Sequence, residues 1–184
     1  LGCFMSESNG STFFSDAGIQ STTKAASLSA ALDTTDQSIN NTVALNITVP
    51  TSAGGEGVTT IKFSTATDTG DDLDETDTIG IGLDGATDAQ VQAAIVAAIN
   101  GDFTNSRVKK APVGNGSVSG VGVRGITATA AAGDAIDIVA DNIGVAGNSI
   151  TLSMAATSIL KGGASSVSLA NGGGGAVPIL RGVL

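Results

Sequence analysis

From Thr42 to Pro50 apolar and polar positions alternate without a break. Val43, Leu45, Ile47 and Val49 fall on one side, and Thr42, Ala44, Asn46 and Thr48 on the other. A period of two marks a strand with one buried face, and the proline closes it. After the loop TSAGGEG, Val58 to Ser64 predicts a second strand with Ile61 and Phe63 turned inward, so the two are expected to pair as a hairpin. Thr78 to Leu83 sets Ile79, Ile81 and Leu83 on one face and Gly80 and Gly82 on the other, where glycine admits a second backbone or a helix at short range.

The period then changes to that of a helix. Asp84-Gly85 forms a turn, Thr87 is an N-cap, and Gln90 three residues on completes a capping box, with Asp88 at the positive helix end. Val91, Ala94, Ile95, Ala98 and Ile99 make the apolar stripe, and Asn100-Gly101 is a stop signal. Thr22 to Ile39 also admits a helical reading, since Ala25, Leu28, Ala31 and Leu32 fall at helical spacing. Its many Ser and Thr residues make that a weak helix.

Further strands are expected at Arg107–Val113, Gly125–Thr129, Ala135–Ala140 and Ile150–Met154. The first carries Arg107, Lys109 and Lys110, as a charged edge strand does. Near the end, NGGGGA reads as a joint ahead of the short apolar stretch Val177 to Leu184. The pattern predicts an α+β fold: a small antiparallel or mixed sheet, or a sandwich, packed by one main helix, with extended arms at both ends. Residues 1–41 are read as an arm or peripheral layer, 42–174 as the α+β module and 175–184 as a C-terminal tail.

Composition changes the picture in one respect. Hydrophobic residues make up 41% of the 184, but they are mostly Ala and Val, and aromatics are 3%, all Phe. Small side chains bury little area at about 25 cal/mol per Å², so stability is expected to be supplemented by contacts between chains. Phe4, Phe13 and Phe14 lie in a Ser/Thr/Gly background near the start, and Val177, Ile179 and Leu180 lie behind the glycine joint. These six are the expected interface residues, because exposed apolar groups on an arm call for a partner.

Charge narrows the partners. The formal net charge is −9, which argues against nucleic acid, whose phosphates need a basic surface. Residues 1–100 carry thirteen acids against Lys24 and Lys62, a balance of −11, while residues 101–184 carry four Asp against six Lys and Arg, a balance of +2. Such separation can steer head-to-tail association, and a solvated acidic loop together with chance is the plainer reading. No apolar run approaches the roughly 20 residues of a membrane-spanning helix, and no membrane partner is expected. Leu1-Gly2-Cys3 has the form of the end of a lipoprotein cleavage site but lacks the apolar region such a signal needs.

Candidate chemistry is sparse. The chain has no His and a single cysteine, Cys3, so Ser–His and Cys–His catalysis within the chain and an internal disulfide are excluded. DTGDDLDETD holds six acids in ten residues, and Asp68, Asp71, Asp72, Asp74 and Asp77 are a weak calcium candidate, because hard cations take clustered oxygens. Their spacing is not that of an EF-hand, and a solvated acidic loop is the plainer reading. Asp134 and Asp137 would be a carboxylate pair, but three residues apart in a strand they face opposite sides. Gly114, Gly116, Gly120 and Gly122 do not stand between a strand and a helix as a phosphate loop would. Asn-x-Ser/Thr sequons occur at Asn9, Asn40, Asn46 and Asn115. No cofactor, and no enzyme activity, is expected.

The order of TIGIGL, the helix TDAQVQAAIVAAIN, the strands of GITATAAAGDAIDIVADN, the segment GVAGNSITL and the tail ILKGGASSVSLANGG resembles a small α+β module that recurs in bacteriophage virion proteins, including parts of contractile-tail sheath subunits. The resemblance covers roughly Val58 to Gly174, and Gly144 to Leu152 is its most characteristic part. It implies a non-enzymatic, self-associating subunit located in the virion, with copies of itself and a major capsid or tail protein as partners. A capsid decoration (cement) protein fits the length and acidity; a tail tube, sheath or fibre component, or a secreted cell-surface adhesin, is the alternative. For Gly147-Asn148 the structural expectation is an Asn in the left-handed turn conformation just before a strand.

Overall fold

The computed structural model describes residues 24–35, 39, 43–69, 78–109, 122–154 and 159–173. In chain order the elements are β1 (Ala25–Asp33), β2 (Ala44–Val49), β3 (Gly57–Ser64), β4 (Thr78–Gly82), α1 (Asp88–Asn100), β5 (Val108–Lys109), β6 (Ile126–Ala130), β7 (Ala135–Ile143), β8 (Thr151–Met154) and β9 (Ser166–Ser168). The fold is α+β. A six-stranded sheet has the order β9-β8-β2-β3-β4-β5, and a three-stranded sheet the order β1-β7-β6. All neighbouring pairs are antiparallel except β3 and β4. A parallel pair needs a crossover between its strands, and the connecting residues 65–77 contain the acid-rich stretch.

The alternation at Thr42–Pro50 becomes β2, where Leu45, Ile47 and Val49 are buried and the intervening residues half-buried. It forms the expected hairpin with β3, in the register Leu45–Ile61 and Ile47–Thr59. On the other side of the strand Asn46 stands directly opposite Thr60, whose hydroxyl donates to Asn46 Oδ1 at 2.8 Å. In β4 all five residues are buried. A Cβ on Gly82 would stand 2.3 Å from the backbone nitrogen of Thr69, so the close backbone approach expected of this strand is realised there.

The helix is built from the signals that predict it. The Thr87 side chain accepts from the Gln90 backbone N–H while Gln90 Oε1 accepts from the Thr87 N–H, and Gly101 closes the helix at φ 77°. Val91, Ala94, Ile95, Ala98 and Ile99 are all buried. They join one hydrophobic cluster with Leu45, Ile47, Ile61, Phe63, Ile79 and Ile81 of the large sheet and Ile126, Ala128, Ile136 and Ile138 of the small one. The helix packs chiefly on β6 and also touches β4 and β5.

Two of its polar residues fasten it to the small sheet. The Gln92 amide donates to the carbonyls of Ala131 and Ala135 at 2.9 and 2.6 Å, across the mouth of the β6–β7 hairpin. Asn100 donates to the Ala128 carbonyl at 2.8 Å and accepts from the Ala128 N–H at 2.9 Å. That amide occupies one position of the outer edge of β6, as a partner strand would.

Thr22–Ile39 is corrected: its described part holds a strand, β1, paired with β7, in place of a helix. The register slips between Leu28 and Leu32, where Ala30 takes φ 48° and donates its N–H to Asp137 Oδ1 at 2.7 Å. This irregularity changes the phase of the strand, so Ala31 and Leu32 are both buried. A bulge thereby produces the i, i+3, i+4 spacing that imitates a helix. The strand expected at Arg107–Val113 is described only as the two residues of β5, which lie at an edge of the large sheet as the charged residues imply. β9 carries no apolar alternation long enough to predict it.

Candidate interaction surfaces

Residues 165–173 form a strap between the sheets. Ser166–Ser168 pair with β8, and the chain then crosses to β1, where Ala170 and Ser27 exchange backbone hydrogen bonds, as do Gly173 and Lys24. The Asn148 side chain holds the strap in place, donating to the Gly172 carbonyl at 3.2 Å and accepting from the Gly172 N–H at 2.8 Å. This corrects the expectation for Gly147-Asn148. Asn148 is not among the residues with positive φ; its side chain acts as a backbone mimic, while the left-handed asparagine is Asn171 at φ 63°. The GVAGNS segment and the downstream NGG step thus meet in space.

Lys24 and Gly173 bring the two ends of the described body to one place. The Lys24 carbonyl accepts from both Gly173 and Gly144, at 2.9 and 3.0 Å. On either side of Gly144 stand Ile143 and Val145, 61% and 65% exposed, the most exposed large hydrophobic side chains among the described residues. Lys24 and Gly173, the first and last described residues, thus lie together beside Gly144 and its two exposed apolar neighbours. The interface residues expected from the sequence, Phe4, Phe13, Phe14, Val177, Ile179 and Leu180, lie in residues 1–23 and 174–184, outside the described residues.

Of the calcium candidates only Asp68 is described; Asp71, Asp72, Asp74 and Asp77 lie outside the described residues. Among the described residues no group of three or more acids, Cys or His is placed to hold a metal ion. Asp134 sits in the β6–β7 turn at φ 56°, and Asp137 is half-buried in β7 with its carboxylate on the Ala30 N–H. The two serve separate structural roles. Of the sequons only Asn46 is described, and it is the central-strand residue bonded to Thr60.

A second surface lies where α1 meets the chain after it. Gln90, Ala93, Asn105, Ser106 and Arg107 line an open groove of about 320 Å³. Arg107 Nη1 donates to the carbonyls of Gly82 and Asp84 at 3.2 and 3.1 Å, which fixes the guanidinium at the end of β4. Asn105 Oδ1 accepts from the Arg107 N–H at 3.0 Å. Beside the groove, the Thr104 hydroxyl and backbone N–H both donate to Asp102, and these bonds hold its carboxyl below the usual carboxylate range. No motif marks this groove in the sequence; an Asn two residues before an Arg is its only trace.

Comparison with known proteins adds no relative: no protein-family model, curated protein or solved structure matches the chain.

Proposed function

We propose that this chain is a non-enzymatic structural subunit of a bacteriophage virion, a capsid decoration or cement protein that binds the capsid lattice and neighbouring copies of itself. The observation that carries this reading is the convergence at Lys24 and Gly173. The described residues that adjoin the two segments holding the expected interface residues are bonded to each other, next to the exposed Ile143 and Val145. A subunit held by its neighbours gains from concentrating its apolar contacts in one area, since contiguous exposed apolar surface marks association sites. The low aromatic content and the resemblance of Val58–Gly174 to virion modules point the same way.

Quantitative mass spectrometry of purified particles, followed by cryo-EM of the same particles, tests the reading. The expected result is this chain in fixed stoichiometry with the major capsid protein and on its outer surface. Absence from purified particles, or a position confined to the tail, overturns the decoration role.

A further inference from the structure

The groove beside α1 has an unusual hydrogen-bonding balance. Gln90 Oε1 is engaged by the Thr87 N–H in the capping box, and Asn105 Oδ1 by the Arg107 N–H. Each amide has thus committed its acceptor to the fold and retains its NH2. Arg107 uses only Nη1 for the Gly82 and Asp84 carbonyls, leaving Nε and Nη2. Ser106 adds a hydroxyl. Among the described residues lining the groove, the uncommitted side-chain groups are therefore donors, apart from the Ser106 hydroxyl, which can also accept. A ligand that satisfies them must itself be an acceptor.

We propose that this groove is a carboxylate-binding site and takes an acidic side chain of a protein partner. A guanidinium whose position is fixed presents a planar fork that pairs with a carboxylate through two parallel bonds, and the neighbouring amides extend the donor set. A dianionic phosphate fits less well. Among the described lining residues Arg107 supplies the one formal positive charge, which matches the single charge and planar shape of a carboxylate. The groove is also open to solvent, which suits a side chain presented by another surface more than a small molecule that needs enclosure.

Side-chain NH resonances of Arg107, Asn105 and Gln90 in the full-length protein read out the test. The probes are the capped peptide DDLDE, its neutral counterpart NNLNQ, sodium acetate and inorganic phosphate. DDLDE is expected to shift these resonances saturably, with acetate reproducing the shifts at higher concentration. Arg107→Lys, which keeps the charge and loses the fork, should weaken DDLDE binding about tenfold, the loss of one charge-assisted bond. Ala93→Glu places a competing carboxylate at an exposed helix position that tolerates it, and should abolish peptide binding with the melting temperature unchanged. The absence of saturable shifts, equal shifts with NNLNQ, or stronger binding of phosphate than of acetate would overturn the proposal.

Discussion

Asp102 shows how a single surface residue reports its local geometry. Its carboxyl is fully exposed, and the Thr104 hydroxyl and N–H bond to it at 2.6 and 3.1 Å, stabilising the ionised form. A folded-state pKa below the unfolded value contributes stability that is present above the unfolded pKa and lost as pH falls through the folded one. A carboxyl-carbon NMR titration should therefore place the Asp102 midpoint below that of an ordinary aspartate, and Thr104→Val should move it back up. Asn100 illustrates a heavier role. Asn100→Ala removes both bonds to the Ala128 backbone at the edge of β6, and about 1–2 kcal/mol of stability should go with them in urea unfolding. As a residue before glycine, Asn100 is legible in the sequence as a helix stop. Its sheet-capping role is not, because nothing local encodes which distant carbonyl an amide will meet.

At the scale of elements, legibility followed regularity. β2, β3, β4 and α1 each repeat one period over several residues, and the predicted inward residues are buried except Leu83, which lies just past the end of β4 and is half-buried. β1 departs from its periodic signal because a bulge at Ala30 gives a strand the spacing of a helix, and β9 is too short for any period to show. The helix is the element on which both sheets depend. Ile95 is fully buried between them, and Ile95→Ala should cost about 3 kcal/mol, measured as a shift of the urea midpoint at constant slope. The strap behaves differently, since its hold on the body includes one side chain. Asn148→Ala should speed hydrogen exchange at Gly172 and Ala170 about tenfold while changing the global melt little, the signature of a local opening.

For the whole molecule, periodicity marks elements along the chain but not which of them meet in space. The carboxylate groove was invisible for the same reason: Gln90 and Arg107 belong to separate elements, joined only when β5 pairs with β4. The bridge between Lys24 and Gly173 has a further consequence. With its first and last described residues exchanging backbone hydrogen bonds, the body is topologically almost a ring, and its element order has no privileged starting point. A circular permutant that replaces residues 174–184 and 1–23 with a short glycine linker, and opens new ends at the exposed Asp84-Gly85 turn, would keep every described strand pairing. Its far-UV spectrum should match that of the parent chain. Cargo fused to the original ends would be displayed at one spot on the surface, and cargo fused to the permuted ends beside the groove.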